Sequence, residues 1–287
     1  MIPYWKQHFD EVIEANHYDK DIADKCDVIW CEFLGADLEG ASIHKKPHQK
    51  LLCRFWRIEY WQQHFKLGRF KIQWDKVDAV FNTSPQYIDW INEYYPHAKI
   101  KYLRGGIDLK KYTFKKRGLK ENKITLTTVA KKFDGRKNPI LAMLCAGELQ
   151  RYAGREVELL FGGGGSDWLQ TAILKNSAKC LKIPYDLRGG QSSVNEFLEC
   201  SDVQIHTAFD ESFCFVVGEA MAKGIKTLTY NWPGADRIWP EYAVWNTPLE
   251  MAQKIVDEPY ESEKYRQFIE DNYNLIDLME DLKAYYE

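Results

Sequence analysis

The sequence predicts an α/β protein built on parallel, doubly wound sheets. Three observations carry this: continuous apolar runs of strand length, helical stretches between them, and a chain of 287 residues, longer than one hydrophobic core usually spans. DVIWCEFL (27–34) is apolar almost throughout, as a strand covered on both faces should be. QKLLCRF (49–55), DAVFNTS (78–84) and KIKYLRG (99–105) repeat the signal, and PQYIDWINEYY (85–95) opens with Pro at a first helical position. The charged, Gly-broken segment KKYTFKKRGLKENK (110–123) marks the boundary, which gives a first domain of residues 1–112.

A second series of alternations follows over 113–260. KITLTTVA (123–130) reads as a strand and NPILAMLCAGELQRYAG (138–154) as a helix, with Asn before Pro at its start and Gly at its end. REVELLFGGGG (155–165) is a strand running into glycines. LQTAILKNSAKCLKI is a helix, YDLRGG a strand, SVNEFLECS a helix, and DVQIHTA (202–208) and IKTLTY (225–230) are strands. Residues 261–287 read as amphipathic helix that could pack back on the first domain. Sheets of this kind place ligands beyond the carboxyl ends of their strands.

Composition excludes several classes. A formal net charge of −3 offers no basic stripe for nucleic acid. The seven cysteines are scattered without a C-x-x-C, which speaks for reduced thiols in a cytoplasm and against a disulfide framework. His44 and His48 have i,i+4 spacing, but Pro47 lies between them and no metal site is expected. No apolar stretch approaches the ~18 residues of a membrane span. Aromatic residues are abundant, with 10 Trp, 17 Tyr and 14 Phe, many of them in the first hundred positions. They suit core filling, and a peripheral membrane contact through this first domain is left open.

The stretch ESFCFVVGEAMAKG (211–224) brackets an apolar run with two carboxylates. Glu211 falls on a loop after a strand, the helix should begin near Phe215, and Gly224 suits the residue just past its end. N–H groups of Phe213, Cys214 and Phe215 would then surround a helix N-terminus, a natural phosphate site. Glu219, about one turn inside, would aim acceptor oxygens at hydroxyls such as a ribose diol. In VAKKFDGRKNP, Lys131 and Lys137 flank a loop at a strand's carboxyl end, where two cations could neutralise a diphosphate.

These motifs, in this order, resemble retaining glycosyltransferases of the two-domain GT-B fold, family 4, whose signature is E-x7-E. RGGID (104–108), VAKKFDGRKN (129–138), LRGG (187–190), SDVQIHTAFDE (201–211) and NWPGAD (231–236) stand where that family has its landmarks, over roughly residues 75–245. The resemblance implies two Rossmann-like domains, the N-terminal one reduced and acceptor-side, the C-terminal one binding a nucleotide-sugar. It implies a hexosyltransferase-type enzyme that moves a sugar from a UDP- or GDP-linked donor to a hydroxyl of a glycan, a lipid-linked sugar or a protein, with retention and with neither cofactor nor metal. Glu211 would meet the donor sugar and act in catalysis, and Glu219 would meet the ribose. Lys131, Lys137 and the backbone at Phe213, Cys214 and Phe215 would hold the diphosphate, and Gly190 would lie by the base.

The chain departs from the pattern at several places. ESFC replaces E-G-F-G, Lys131 replaces Arg, and Trp56 in CRFWRIEYW (53–61) stands at a His position, leaving Arg54, Arg57 and Glu59 as acceptor-side candidates. The short first domain admits an alternative, a degenerate nucleotide-sugar binder or partner subunit without activity of its own. A nicotinamide site at FGGGGSDW lacks the third glycine of G-x-G-x-x-G. The D-x-D letters at Asp19–Asp21 read as a helix cap instead of a metal motif.

Overall fold

Strand order divides the chain into two parallel sheets built on different plans. The computed structural model describes residues 1–56, 70–94, 96–98, 100–164, 168–191 and 193–287. Met1–Gly106 and Leu275–Glu287 form one unit, and Ile107–Asn274 the other. The sequence reading put the division at 112–113 and took 261–287 as one element. The chain makes two helices there, Ser262–Tyr273 in the second unit and Leu275–Tyr286 in the first, because Asn274 is extended between them (φ −63°, ψ 129°).

In the first unit β1 (Val28–Cys31), β2 (Lys50–Phe55), β3 (Ala79–Asn82) and β4 (Ile100–Tyr102) lie side by side in sequence order, all parallel. Crossovers that step steadily in one direction put their helices on one face, since each is right-handed. Helices Ala36–His44 and Pro85–Tyr94 cover that face, where Leu51, Cys53, Phe55 and Val80 meet Leu38, Ala41 and Ile91. The alternate residues Leu52, Ala79 and Phe81 point the other way. That face is closed by Leu278, Met279 and Leu282 of the C-terminal helix, flanked by Tyr4 and Trp5 of helix Ile2–His8. A parallel sheet must be covered on both sides, so the chain's end has to return. Asp19 is the cap that its position suggested, accepting the N–H groups of Asp21 (2.8 Å) and Ile22 (3.1 Å).

In the second unit β5 (Lys123–Lys132), β6 (Glu156–Gly164), β7 (Tyr185–Leu187), β8 (Val203–His206), β9 (Lys226–Tyr230) and β10 (Val244–Trp245) run parallel in the order β10-β9-β8-β5-β6-β7. From β5 the chain builds outward through β6 and β7, then crosses back and builds the other way from β8. The winding therefore reverses between β5 and β8, and a crevice opens at their carboxyl ends. Helix Pro139–Ala153 follows β5, capped by the Asn138 side chain on Leu141 N–H (3.1 Å) and ended by Gly154 at φ +62°. Helix Phe215–Ala222 follows β8. It ends in a Schellman pair, with Gly224 (φ +78°) donating to Met221 O at 2.9 Å and Ile225 to Ala220 O at 3.0 Å. No helix among the described residues is long and apolar enough to cross a membrane.

If the returning helix is what seals the first sheet, Met279→Ala should lower stability by about 2–5 kcal/mol in urea unfolding. A loss under about 1 kcal/mol would mean that this face is not a closed core.

Candidate functional site

The loops after β5 and β8, which flank the winding reversal, are stitched to each other. Phe209 N–H donates to Arg136 O (3.1 Å), and the Thr207 hydroxyl lies within bonding distance of Lys137 O (3.0 Å) and Asn138 O (3.1 Å). Arg136 Nη1 donates to Asp210 O (3.1 Å). Asp134 closes the first loop by accepting Lys137 N–H (3.0 Å). The backbone of residues 136–138 is thus fixed against that of 207–210.

The stitching brings three nitrogen groups to one oxygen. Glu211 Oε1 accepts from Arg136 Nη1 (2.9 Å) and from Lys137 Nζ, and His206 Nε2 stands 3.3 Å away. Glu211 is only 9% exposed and His206 2%. Burial alone would raise the carboxyl pKa, but the His206 contact and the charges of Lys137 and Arg136 outweigh it and hold Glu211 well below the usual carboxylate range. Burial drives the His206 pKa down, against the pull of Glu211, so the imidazole is neutral and the two fixed cations carry the stabilisation. Among the described residues His206 Nε2 forms no well-aligned hydrogen bond despite its proximity. The result is a fixed anion beside two cations at a crevice mouth.

Beyond Glu211 the backbone turns into the helix through Cys214, which takes a left-handed conformation (φ +62°, ψ 74°) with a side chain that glycine would not carry. The helix starts at Phe215, as its sequence suggested. Of the three residues expected around its N-terminus, Phe213 packs its ring on Trp239 (4.9 Å) and Tyr273 (4.9 Å), Cys214 is buried, and the Phe215 side chain is exposed. The Val217 N–H donates to Cys214 O at 3.0 Å within the first turn. Glu219, one turn further on, accepts the Tyr112 hydroxyl at 2.7 Å, and burial raises its pKa.

The other expected residues fall in different surroundings. Lys131 is exposed and makes no ion pair among the described residues, and the β5–β6 register shifts at this point, between Ala130 and Lys132. Arg136, which the sequence reading passed over, joins Lys137 at Glu211. Gly190 is exposed on the turn after β7, where Gly163 N–H donates to Gly189 O (2.7 Å) and no atom crowds the space a Cβ would fill. In the first unit Arg54 is committed to Glu32 (Nη2 to Oε1, 2.7 Å; Nε to Oε2, 3.0 Å) and lies over the Trp56 ring at 4.3 Å. Trp30 and Trp56 also donate to that carboxylate (2.9 and 3.0 Å). Arg54 is therefore a packed, paired cation. Arg57 and Glu59 lie outside the described residues. Among the described residues no group of three or more His, Cys, Asp or Glu side chains is placed to hold a metal ion.

His206 and Arg136 carried signals in the sequence: one is the last residue of a strand ending at the sheet's carboxyl edge, the other the neighbour of Lys137. A neutral buried histidine also makes a testable demand. Unfolding releases it to titrate near its ordinary pKa of about 6.5, so the unfolded state binds the extra proton and stability falls as pH drops below that value. Wild type should lose up to about 2 kcal/mol more than His206→Gln between pH 7.5 and pH 5 in urea unfolding. Parallel losses would show that His206 is not held neutral.

Comparison with known proteins gives consistent results. Residues 110–274, more than half the chain, match the family described as glycosyl transferases group 1. Curated proteins gave no match. Among solved structures, a glycosyltransferase from Rickettsia africae ESF-5 aligns at 16% identity and TM-score 0.68, over 93% of this chain and 78% of that one. HepE from Anabaena, in complex with UDP and glucose, aligns at 13% identity and TM-score 0.72, over 92% and 79%. The pneumococcal O-GlcNAc transferase GtfA, in complex with UDP and GlcNAc, aligns at 15% identity and TM-score 0.67, over 93% and 58%. Similarity at this level speaks to the fold, two Rossmann-like domains of the GT-B type with the N-terminal one reduced. By its sequence, the chain belongs to the glycosyl transferases group 1.

Proposed function

We propose that this protein is a retaining, metal-independent glycosyltransferase that moves a sugar from a nucleotide-diphosphate donor to an acceptor hydroxyl. The observation that carries the reading is the meeting of Arg136, Lys137 and His206 at Glu211, on the two loops that flank the winding reversal. HepE and GtfA, both solved with UDP, favour uridine over guanosine as the base.

In this reading the diphosphate sits against Arg136 and Lys137, with Lys131 as an outer cation and the backbone at Phe213, Cys214 and Phe215 adding N–H donors at the helix start. Arg136 offers a planar fork and Lys137 a point charge, and both gain strength as negative charge develops on the departing phosphate. Glu211, held ionised, accepts hydroxyls of the donor sugar and fixes its anomeric carbon. The acceptor hydroxyl attacks on the face from which the diphosphate departs. The bond from sugar to phosphate breaks as the new glycosidic bond forms, and a phosphate oxygen takes the acceptor's proton. Glu219 receives the ribose and Gly190 lies by the base. A glycan, a lipid-linked sugar or a protein would supply the acceptor hydroxyl. Seven free cysteines suit a reducing compartment, and we place the protein in the cytoplasm.

Glu211→Gln should cut kcat by about a hundredfold or more with the fold intact. Lys137→Ala should weaken nucleoside diphosphate affinity by about tenfold. NMR of the product should show the donor's anomeric configuration preserved. Near wild-type turnover in Glu211→Gln would remove Glu211 from catalysis, nucleotide-sugar binding without turnover in wild type would support the alternative that the chain only binds its donor, and an inverted product would exclude the retaining course.

A further inference from the structure

Residues 107–112 lie along the helix that carries Glu219, and Asp108 folds them there. Its Oδ1 accepts the N–H groups of Lys110 (3.0 Å) and Lys111 (3.1 Å), and its carbonyl accepts that of Tyr112 (2.9 Å). On one side of this turn Ile107 packs into the notch left by Gly218, where an added Cβ would fall 2.8 Å from Ile107 Cδ1. On the other side the Tyr112 hydroxyl reaches Glu219 Oε1 at 2.7 Å. Arg266 Nη1 ties the pieces together by donating to Tyr112 O (3.0 Å) and Ala222 O (3.1 Å). Tyr112 is 4% exposed, so its phenol is held by packing and backbone alike.

An ionised carboxylate offers about four acceptor positions. Tyr112 takes one on Oε1, and Oε2 accepts no hydrogen bond among the described residues. An unrestrained glutamate would lose rotamer freedom on gripping a ligand, whereas one already fixed by a phenol does not. The Gly218 notch and the Asp108 turn serve the same end, since each sets where the phenol lies.

We propose that Tyr112 is a positioning residue of the donor site. It fixes the plane of Glu219 so that Oε2 and the open side of Oε1 face the ribose diol, and it thereby sets the preference for a ribonucleotide over its dideoxy counterpart. This rests on the assignment of Glu219 to the ribose made above.

Calorimetric titration of the full chain tests it, using UDP, 2′,3′-dideoxy-UDP and the two guanosine counterparts, with wild type, Tyr112→Phe, Glu219→Gln and the double variant. Wild type should prefer the ribonucleotide. Tyr112→Phe should weaken ribonucleotide binding by roughly three- to tenfold while leaving the dideoxy form unchanged, so the preference shrinks. In the Glu219→Gln background the same change should have no further effect on that preference. Equal weakening of both nucleotides by Tyr112→Phe, or an unchanged preference, would overturn the proposal while the ribose assignment stands. A wild type with no preference would overturn the ribose assignment and this proposal together, and no binding of any nucleotide would overturn the donor site itself.

Discussion

The functional edge of the second unit depends on one buried carboxylate. Glu211 stays ionised at 9% exposure because His206, Lys137 and Arg136 surround it, and the two cations come from the loop after a different strand, β5. The pairing therefore links the two loops that the winding reversal separates. Removing one partner of such a buried pair typically costs about 3–5 kcal/mol, because the other charge is left without compensation. The energetic demand of the pair and the ligand chemistry point to the same place: a crevice where anionic and cationic groups are held at fixed spacing before any ligand arrives. A diphosphate entering there would find its counter-charges already dehydrated and oriented.

The first unit answers to a different constraint. Its strands run in sequence order without reversal, so no crevice arises from winding, and the topology leaves one sheet face for the chain's two ends to close. Charge there is used for packing. Arg54, Glu32, Trp30 and Trp56 form a closed group in which the guanidinium is both paired and stacked. Such an arrangement stiffens the carboxyl ends of β1 and β2 and leaves little of Arg54's donor capacity for a ligand.

Much of this was legible in the sequence, and the limits have physical causes. Continuous apolar strands, Asn138 before Pro139, Gly154, Gly224 and the helix start at Phe215 are local signals, and the structure places each element within a few residues of its expected bounds. Glu211 and Lys137 stood out for their positions at predicted strand ends. Non-local features did not show. Tyr112 and Glu219 are 107 residues apart, and nothing in either neighbourhood announces the pairing. The β5–β6 register shifts between Ala130 and Lys132, an irregularity with no sequence mark in this stretch, and it is Arg136 that reaches Glu211 while Lys131 stays exposed. The break at Asn274 falls within an amphipathic pattern that reads as continuous. Cys214 is the clearest local conflict: it adopts a conformation suited to glycine at the entrance of the site, where strain of this kind tends to gather.

The central claim is that the crevice between β5 and β8 binds a nucleoside diphosphate through protein cations alone. Thermal unfolding with UDP, GDP and NAD in turn, each with and without a chelator, tests it most directly. Ligand at about a hundred times its dissociation constant adds roughly 2.7 kcal/mol, which shifts the midpoint of a chain this size by about 4–5 degrees. The account predicts a shift with UDP or GDP that survives chelation. A shift only with NAD, a shift abolished by the chelator, or none at all would contradict it.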